Sequence, residues 1–351
     1  MPSWCPKRFN LTFSCFYPNG GKRLYDFRLE EVAAWIRAVG ARTIALQMPE
    51  GLKVHAQSIA RELEATTGAS ILIVGDPCYG ACDYTVRFRD YADALVQFGH
   101  SEIPSMPKDD RVLFVEIFVN IDITGLLEQA LPKLKGRIGL LTTVQHVGML
   151  SGVREWLEAH GKEVRIGRGD ARIKFEGQVL GCNITSVSSI MDGVDQFMYL
   201  GSGNFHPLSV AIESDRPVLI IDPLMNEVRE IGDLKDRIMR QRFAAITRAT
   251  EANRFLILVS TKVGQIRMER AQELKRKAEA HGKAAEIVLL EEFHPDRLLP
   301  YHADAYVSTA CPRIAIDDYL RYSRPILTPV EFEIALGERQ WSDYRTDMIL
   351  G

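Results

Sequence analysis

Short apolar, β-branched runs alternate along the chain with longer stretches in which apolar residues recur every three or four positions. That alternation predicts strands and helices taking turns, the pattern of a parallel α/β sheet. Strands are predicted at 43–48 (TIALQM), 70–74 (SILIV), 93–99 (DALVQFG) and 111–119 (RVLFVEIFV). Helical periodicity covers 54–66, with Gly68 placed to end it. The pattern then recurs. A strand at 137–142 (RIGLLT) precedes a helix near 149–159 that stops at Gly161. Strands follow at 163–166, 196–200 (QFMYL) and 217–222 (PVLIID), and a run at 178–181 leads straight into Cys182. A third pass holds a strand at 255–260 (FLILVS), a helix at 268–280 ended by Gly282, and strands at 286–290 and 305–308, just before Cys311.

This element order reads as an internal triplication. The expected fold is α/β, with three repeated domains, each a small parallel sheet flanked by helices, arranged around a central point. Pro104, Pro107 and the run Lys108-Asp109-Asp110 mark one boundary, and Asp215-Arg216-Pro217 the other. The predicted domains are 1–108, 109–215 and 216–351.

Composition narrows the function classes. Apolar residues at 46 % and charged residues at 25 % are ordinary for a globular chain. A net charge of −3 supplies no basic excess for nucleic acid or an anionic membrane surface. No apolar run is long enough for a membrane span, and the N-terminus lacks the apolar core of a secretion signal, so a cytoplasmic protein is expected. The cysteines, at 5, 15, 78, 82, 182 and 311, are then expected as reduced thiols.

Cys82, Cys182 and Cys311 each fall in a loop after a strand, one in each predicted domain. Ligands of open α/β sheets bind outside the carboxyl ends of the strands. Three related units around an axis would bring three such thiols to one point. Thiolates select zinc, copper(I) or iron–sulfur centres, and the long gaps match neither a zinc finger nor a ferredoxin run, so the residues alone leave the metal open. Three ligands on a 4Fe-4S cluster would leave one iron free for substrate, by the logic that separates open catalytic sites from closed structural ones.

The stretches around these cysteines carry a resemblance. QMPEGL (47–52), GDPCYGACDY (75–84), QFGHSEIP (97–104), LGCN (180–183), YLGSGNFHPLSVAI (199–212), STKVGQ (260–265), TACPRIAIDDY (309–319) and LTPVEFEIALG (327–337) resemble the archaeal diphthamide-synthesis radical iron–sulfur enzymes. The resemblance spans about residues 43 to 337. It implies a 4Fe-4S cluster on Cys82, Cys182 and Cys311, S-adenosylmethionine as cosubstrate, and a homodimer. It also implies transfer of a 3-amino-3-carboxypropyl group to an imidazole carbon of a histidine in translation elongation factor 2, with methylthioadenosine released and an electron donor required. The clustered CxxxCxxC of ordinary radical enzymes is lacking. Residues 1–26 lie outside the resemblance, and the roles of Cys5 and Cys15 stay open.

Beside that resemblance, further candidate substrate contacts stand out. Gly201 and Gly203 in GSGNFH let a ligand approach the backbone closely, with His206 next to them. Gln47 and Glu50 in the first unit, and Lys262 and Gln265 in the third, are expected in equivalent loops. Glu50 would pair the amine of adenosylmethionine, and Lys262 its carboxylate. Asp317 is a further candidate contact, although with Asp318 it also suits the start of a helix. Two other functions remain in view: another three-cysteine cluster enzyme such as a quinolinate synthase, and a non-catalytic partner subunit of diphthamide synthesis. Cys78 is expected not to ligate, because Pro77 precedes it, whereas Ala81, Gly181 and Ala310 precede the other three.

Overall fold

The computed structural model describes residues 25–351. Cys5, Cys15 and nearly all of the segment outside the resemblance lie beyond the described residues.

Three small sheets form, and they share one strand order. The first holds β1 (Thr43–Gln47), β2 (Ser70–Ile73), β3 (Ala94–Phe98) and β4 (Val112–Val115), ordered β2-β1-β3-β4 and parallel throughout. The second holds β5 (Ile138–Thr142), β6 (Val164–Arg165), β7 (Gln196–Leu200), β8 (Val218–Asp222) and β9 (Glu227–Glu230), ordered β6-β5-β7-β8-β9, with only β9 antiparallel. The third holds β10 (Arg254–Ser260), β11 (Ala284–Leu290), β12 (Ala305–Ser308) and β13 (Ile326–Leu327), ordered β11-β10-β12-β13. In each unit the first strand is internal, and the order in which strands are added switches sides between its first and third strands. That switch opens a crevice at the carboxyl ends.

The central strands are buried along nearly their whole length, so they read as continuous apolar runs. Helices Ala56–Thr67 and Met268–Ala280 stop where Gly68 and Gly282 take φ of 72° and 70°, a left-handed conformation that costs glycine little. The sheet edges fall later than the expected boundaries at 108 and 215. β4 pairs with β3, and β8 pairs with β7. The proline and charge clusters there mark loops inside a sheet, because breakers signal turns and carry no information on which strands pair.

The run at 178–181 is not a strand. Gln178 makes one parallel bridge to Thr142, and Leu180 and Asn183 bridge each other across Cys182. The helix Gly232–Thr250 leads into the third sheet and buries Arg242, Ala245, Ile246 and Ala249. Among the described residues no helix is long and apolar enough to cross a membrane.

Candidate functional site

Each cysteine of interest is held in a turn at the carboxyl end of its sheet, but the three turns are not equivalent. Cys82 and Cys182 lie between the second and third strands of their units. Cys311 lies between the third and fourth strands of its unit. The repeat therefore supplies three similar rims, and the chain uses a different loop of the third one.

Cys82 sits in a single turn, Ala81–Asp83. A Cβ on Gly80 would lie 3.3 Å from Cys82 Sγ, and one on Gly264 would lie 2.5 Å from Cys82 Cα. Glycine at 264 lets the third unit dock backbone to backbone on the first, and its N–H donates to the Cys82 carbonyl at 3.0 Å. The neighbouring Gln265 amide lies 3.5 Å from Cys82 Sγ. Cys182 occupies the tip of the Leu180–Asn183 turn, where Gly181 leaves room for the Phe205 ring. The Ile349 N–H donates to the Cys182 carbonyl at 2.8 Å, and Asn183 donates to the Ile349 carbonyl at 3.0 Å. Cys311 precedes Pro312 and the short helix Arg313–Ile316, whose Ile314 N–H donates back to its carbonyl.

The three thiols lie within one another's electrostatic reach. Burial raises the Cys82 thiol well above its ordinary range, and the Cys182 and Cys311 thiols raise it further. Cys311 is pushed up to about 12 by burial and then by Cys182. Cys182 is raised by burial, against the pull of Arg172 and Arg267. All three keep partial exposure, so the cleft between them is open to a reactant. Such thiols stay protonated until a metal displaces the proton.

Among the described residues no three His, Cys, Asp or Glu side chains gather tightly enough to clasp one metal ion. A lone zinc needs its sulfurs about 2.3 Å from a single point. Thiols that sense each other across a wider gap suit a larger inorganic body with one iron per thiolate. A second feature fits an anionic group. The guanidinium of Arg172, beside Cys182, is only 6 % exposed, and its Nε is buried without a hydrogen-bond partner.

The other expected residues divide. Gln265 reaches Cys82 directly. Gln47 is buried and braces the Cys82 loop, accepting from the Thr85 N–H at 3.2 Å and lying 3.4 Å from the Asp83 carbonyl. Lys262 is in the cleft, but its ammonium already pairs with Asp83 at 2.9 Å and Glu292 at 2.5 Å, beneath the ring of Tyr79. Its charge is therefore spoken for. Glu50 is exposed and pairs with Lys53 at 2.5 Å, and the same ammonium donates to the Gly75 and Asp76 carbonyls.

Gly201 and Gly203, with φ of 147° and 82°, line the turn after β7. That turn follows a third strand, whereas Gln47 ends a first strand and Lys262 follows one, so the three sites are not all equivalent. His206 lies beside Phe205 and Tyr199, with its ring pushed down to about 4 by burial and by Arg313. Asp317 is at the end of the short helix, not its start, because Pro312 opens that helix and only four residues follow. Its carboxylate pairs with Arg313 at 2.8 Å.

Sequence reasoning missed Arg172, Glu292 and the segment 346–351 that packs on Cys182. Asp83 lies within GDPCYGACDY and was within reach. Arg172, in a polar loop, offers no local signal.

With the geometry in hand, the chain can be set beside known proteins. The sequence profile of the diphthamide synthesis protein family matches residues 48–345. The 2-(3-amino-3-carboxypropyl)histidine synthase of Pyrococcus horikoshii is 35 % identical over 333 residues, covering 93 % of this chain and 95 % of the relative. Subunit 1 of the human 2-(3-amino-3-carboxypropyl)histidine synthase is 32 % identical, covering 93 % of this chain and 76 % of the relative. The crystal structure of Dph2 from Pyrococcus horikoshii with a 4Fe-4S cluster superposes with a TM-score of 0.86 at 34 % identity, over 94 % of this chain and 95 % of that one. The chain belongs to the diphthamide synthesis protein family.

Proposed function

We propose that this chain transfers the 3-amino-3-carboxypropyl group of S-adenosylmethionine to an imidazole carbon of a histidine in translation elongation factor 2. This is the first step of diphthamide biosynthesis, and Cys82, Cys182 and Cys311 hold the 4Fe-4S cluster it needs. One observation carries the reading: loops from three separate sheets bring three partly exposed thiols within one another's electrostatic reach. Family membership favours it over a quinolinate synthase, and a full set of three cysteines favours a catalytic chain over an inert partner subunit.

When bound, the cluster supplies the single electron that breaks a sulfonium carbon–sulfur bond. The chain's own residues place and enclose the reactants. Three thiolates leave one position open for the substrate sulfonium. Gln265 directs an amide at the Cys82 sulfur. Lys262 fastens the Cys82 loop to the third unit through Asp83, fixing one wall of the cleft. Gly201 and Gly203 leave the backbone of the second unit bare for close approach. Residues 346–351 pack on the flank of Cys182, where the Ile349 N–H holds its carbonyl and Thr346 and Gly351 anchor the segment on Glu213 and Asp170. A cytoplasmic homodimer supplied by an external electron donor completes the proposal.

The test is product analysis. Anaerobically reconstituted, dithionite-reduced chain is expected to convert S-adenosylmethionine to methylthioadenosine. Finding 5′-deoxyadenosine as the main product would place the chain with ordinary radical enzymes. A loaded chain that is inactive until a second subunit is added would favour the partner-subunit reading.

A further inference from the structure

We infer that Arg172 is the buried counter-charge of the cluster and raises its reduction potential; the inference rests on the cluster reading above. Four cations surround the three cysteines, and three of them have carboxylate partners. Lys262 pairs with Asp83 and Glu292, Arg267 with Asp347 at 2.6 Å, and Arg313 with Asp317. Among the described residues no carboxylate lies within ion-pairing distance of the Arg172 guanidinium. Asp170 accepts from the Arg172 backbone N–H at 2.9 Å, not from its side chain.

The guanidinium is nonetheless nearly enclosed. Its Nη2 donates to the Gly264 carbonyl at 3.2 Å, so it touches the residue that docks on Cys82. Gly351 packs against its backbone and its Cγ, where a Cβ would come within 2.9 Å. Nε has no partner. Burying an arginine without a counter-ion is costly, because water is lost and nothing replaces it. The anionic or potentially anionic groups within its electrostatic reach are the cysteine sulfurs and Asp170, whose oxygens already accept from the Arg172 and Gly351 N–H groups and the Asn183 amide.

A cluster on three thiolates is an anion and gains one more negative charge on reduction. A fixed cation at close range stabilises the reduced form more than the oxidised one, and low local dielectric strengthens the effect. Lys262, Arg267 and Arg313 do less, since each shares its field with its own carboxylate. The single electron comes from an external one-electron reductant, dithionite in the test, and no bond to Arg172 forms or breaks.

The experiment compares the reconstituted full chain with Arg172→Gln and Arg172→Lys, by iron and sulfide content and by dithionite titration followed by electron paramagnetic resonance without S-adenosylmethionine. Arg172→Gln is expected to hold its cluster. At the wild-type midpoint its reduced-to-oxidised ratio should fall about tenfold or more, equivalent to about 59 mV for one electron. Arg172→Lys, which keeps the charge, should fall less. Arg172→Met, neutral and of similar length, makes the same measurement if the glutamine variant fails to load. A midpoint unchanged or raised in the neutral variants overturns the inference. Weaker binding of S-adenosylmethionine with that unchanged midpoint would assign the guanidinium to the substrate carboxylate instead. A wild-type chain that binds no cluster sinks the proposed function itself.

Discussion

Cys82→Ser is expected to lose both the cluster and methylthioadenosine formation, while Cys78→Ser keeps most of the iron and measurable activity. The two thiols are four residues apart in one loop, yet they occupy different environments. Cys82 is within electrostatic reach of Cys182 and Cys311 and keeps partial exposure. Cys78 is 2 % exposed and sits in a closed set of polar contacts. Its Sγ accepts from the Gln97 amide at 3.5 Å and faces the Gly80 and Asp83 carbonyls at 3.6 and 3.8 Å. Burial and the Asp83 carboxylate push that thiol up to about 11, and neither Cys182 nor Cys311 is among the groups that raise it. A fourth thiolate would also close the iron that the substrate needs. Serine at 78 keeps a small donor for the same carbonyls and costs little. Serine at 82 removes one of three ligands, and a cluster held by two is not retained. Iron analysis of the two anaerobically purified variants decides the matter: iron kept at Cys82→Ser and lost at Cys78→Ser would overturn the assignment for the first unit.

Arg242→Met is expected to destabilise the chain by about 3–5 kcal/mol and to loosen the Cys311 loop. The Arg242 side chain and its partner Glu331 are fully buried, joined by two hydrogen bonds of 2.7 and 2.6 Å. The same guanidinium donates to the Ala315 carbonyl, in the short helix after Cys311, and to the Ile326 carbonyl of β13. Glu331 also completes a capping box with Thr328 and accepts from the Tyr344 hydroxyl. Removing the arginine leaves a buried carboxylate with a reduced set of donors and frees two carbonyls. The double variant Arg242→Met, Glu331→Gln removes the stranded charge and should recover part of the loss. Urea unfolding measures both. A single variant within about 1 kcal/mol of the parent would show that the pair does not hold this part of the fold.

What could be read along the chain follows from which strands are buried. β3, β5, β7 and β8 are buried along their whole length, so their sequences are mostly apolar, with only Gln97, Gly139 and Thr142, Gln196 and Asp222 departing from that. The edge strand β9 (EVRE) pairs antiparallel and is half exposed, and the helix Gly232–Thr250 is largely charged; neither carries that signal. The three cysteines stand out along the chain because each follows a small residue, Ala81, Gly181 and Ala310. That Cys311 uses a different loop from Cys82 and Cys182 depends on sheet order, which local pattern does not encode. The same limit explains Lys262. Its sequence shows a free cation, and only the fold brings Asp83 and Glu292 to it.

The central claim is that one 4Fe-4S cluster sits between three units of this chain. Iron and acid-labile sulfide measured on the anaerobically reconstituted wild-type chain test it most directly. About four of each per chain are expected, with one iron lacking a cysteine ligand, and a paramagnetic signal after dithionite that S-adenosylmethionine perturbs. One zinc per chain without sulfide, from protein made with ample iron, would contradict it.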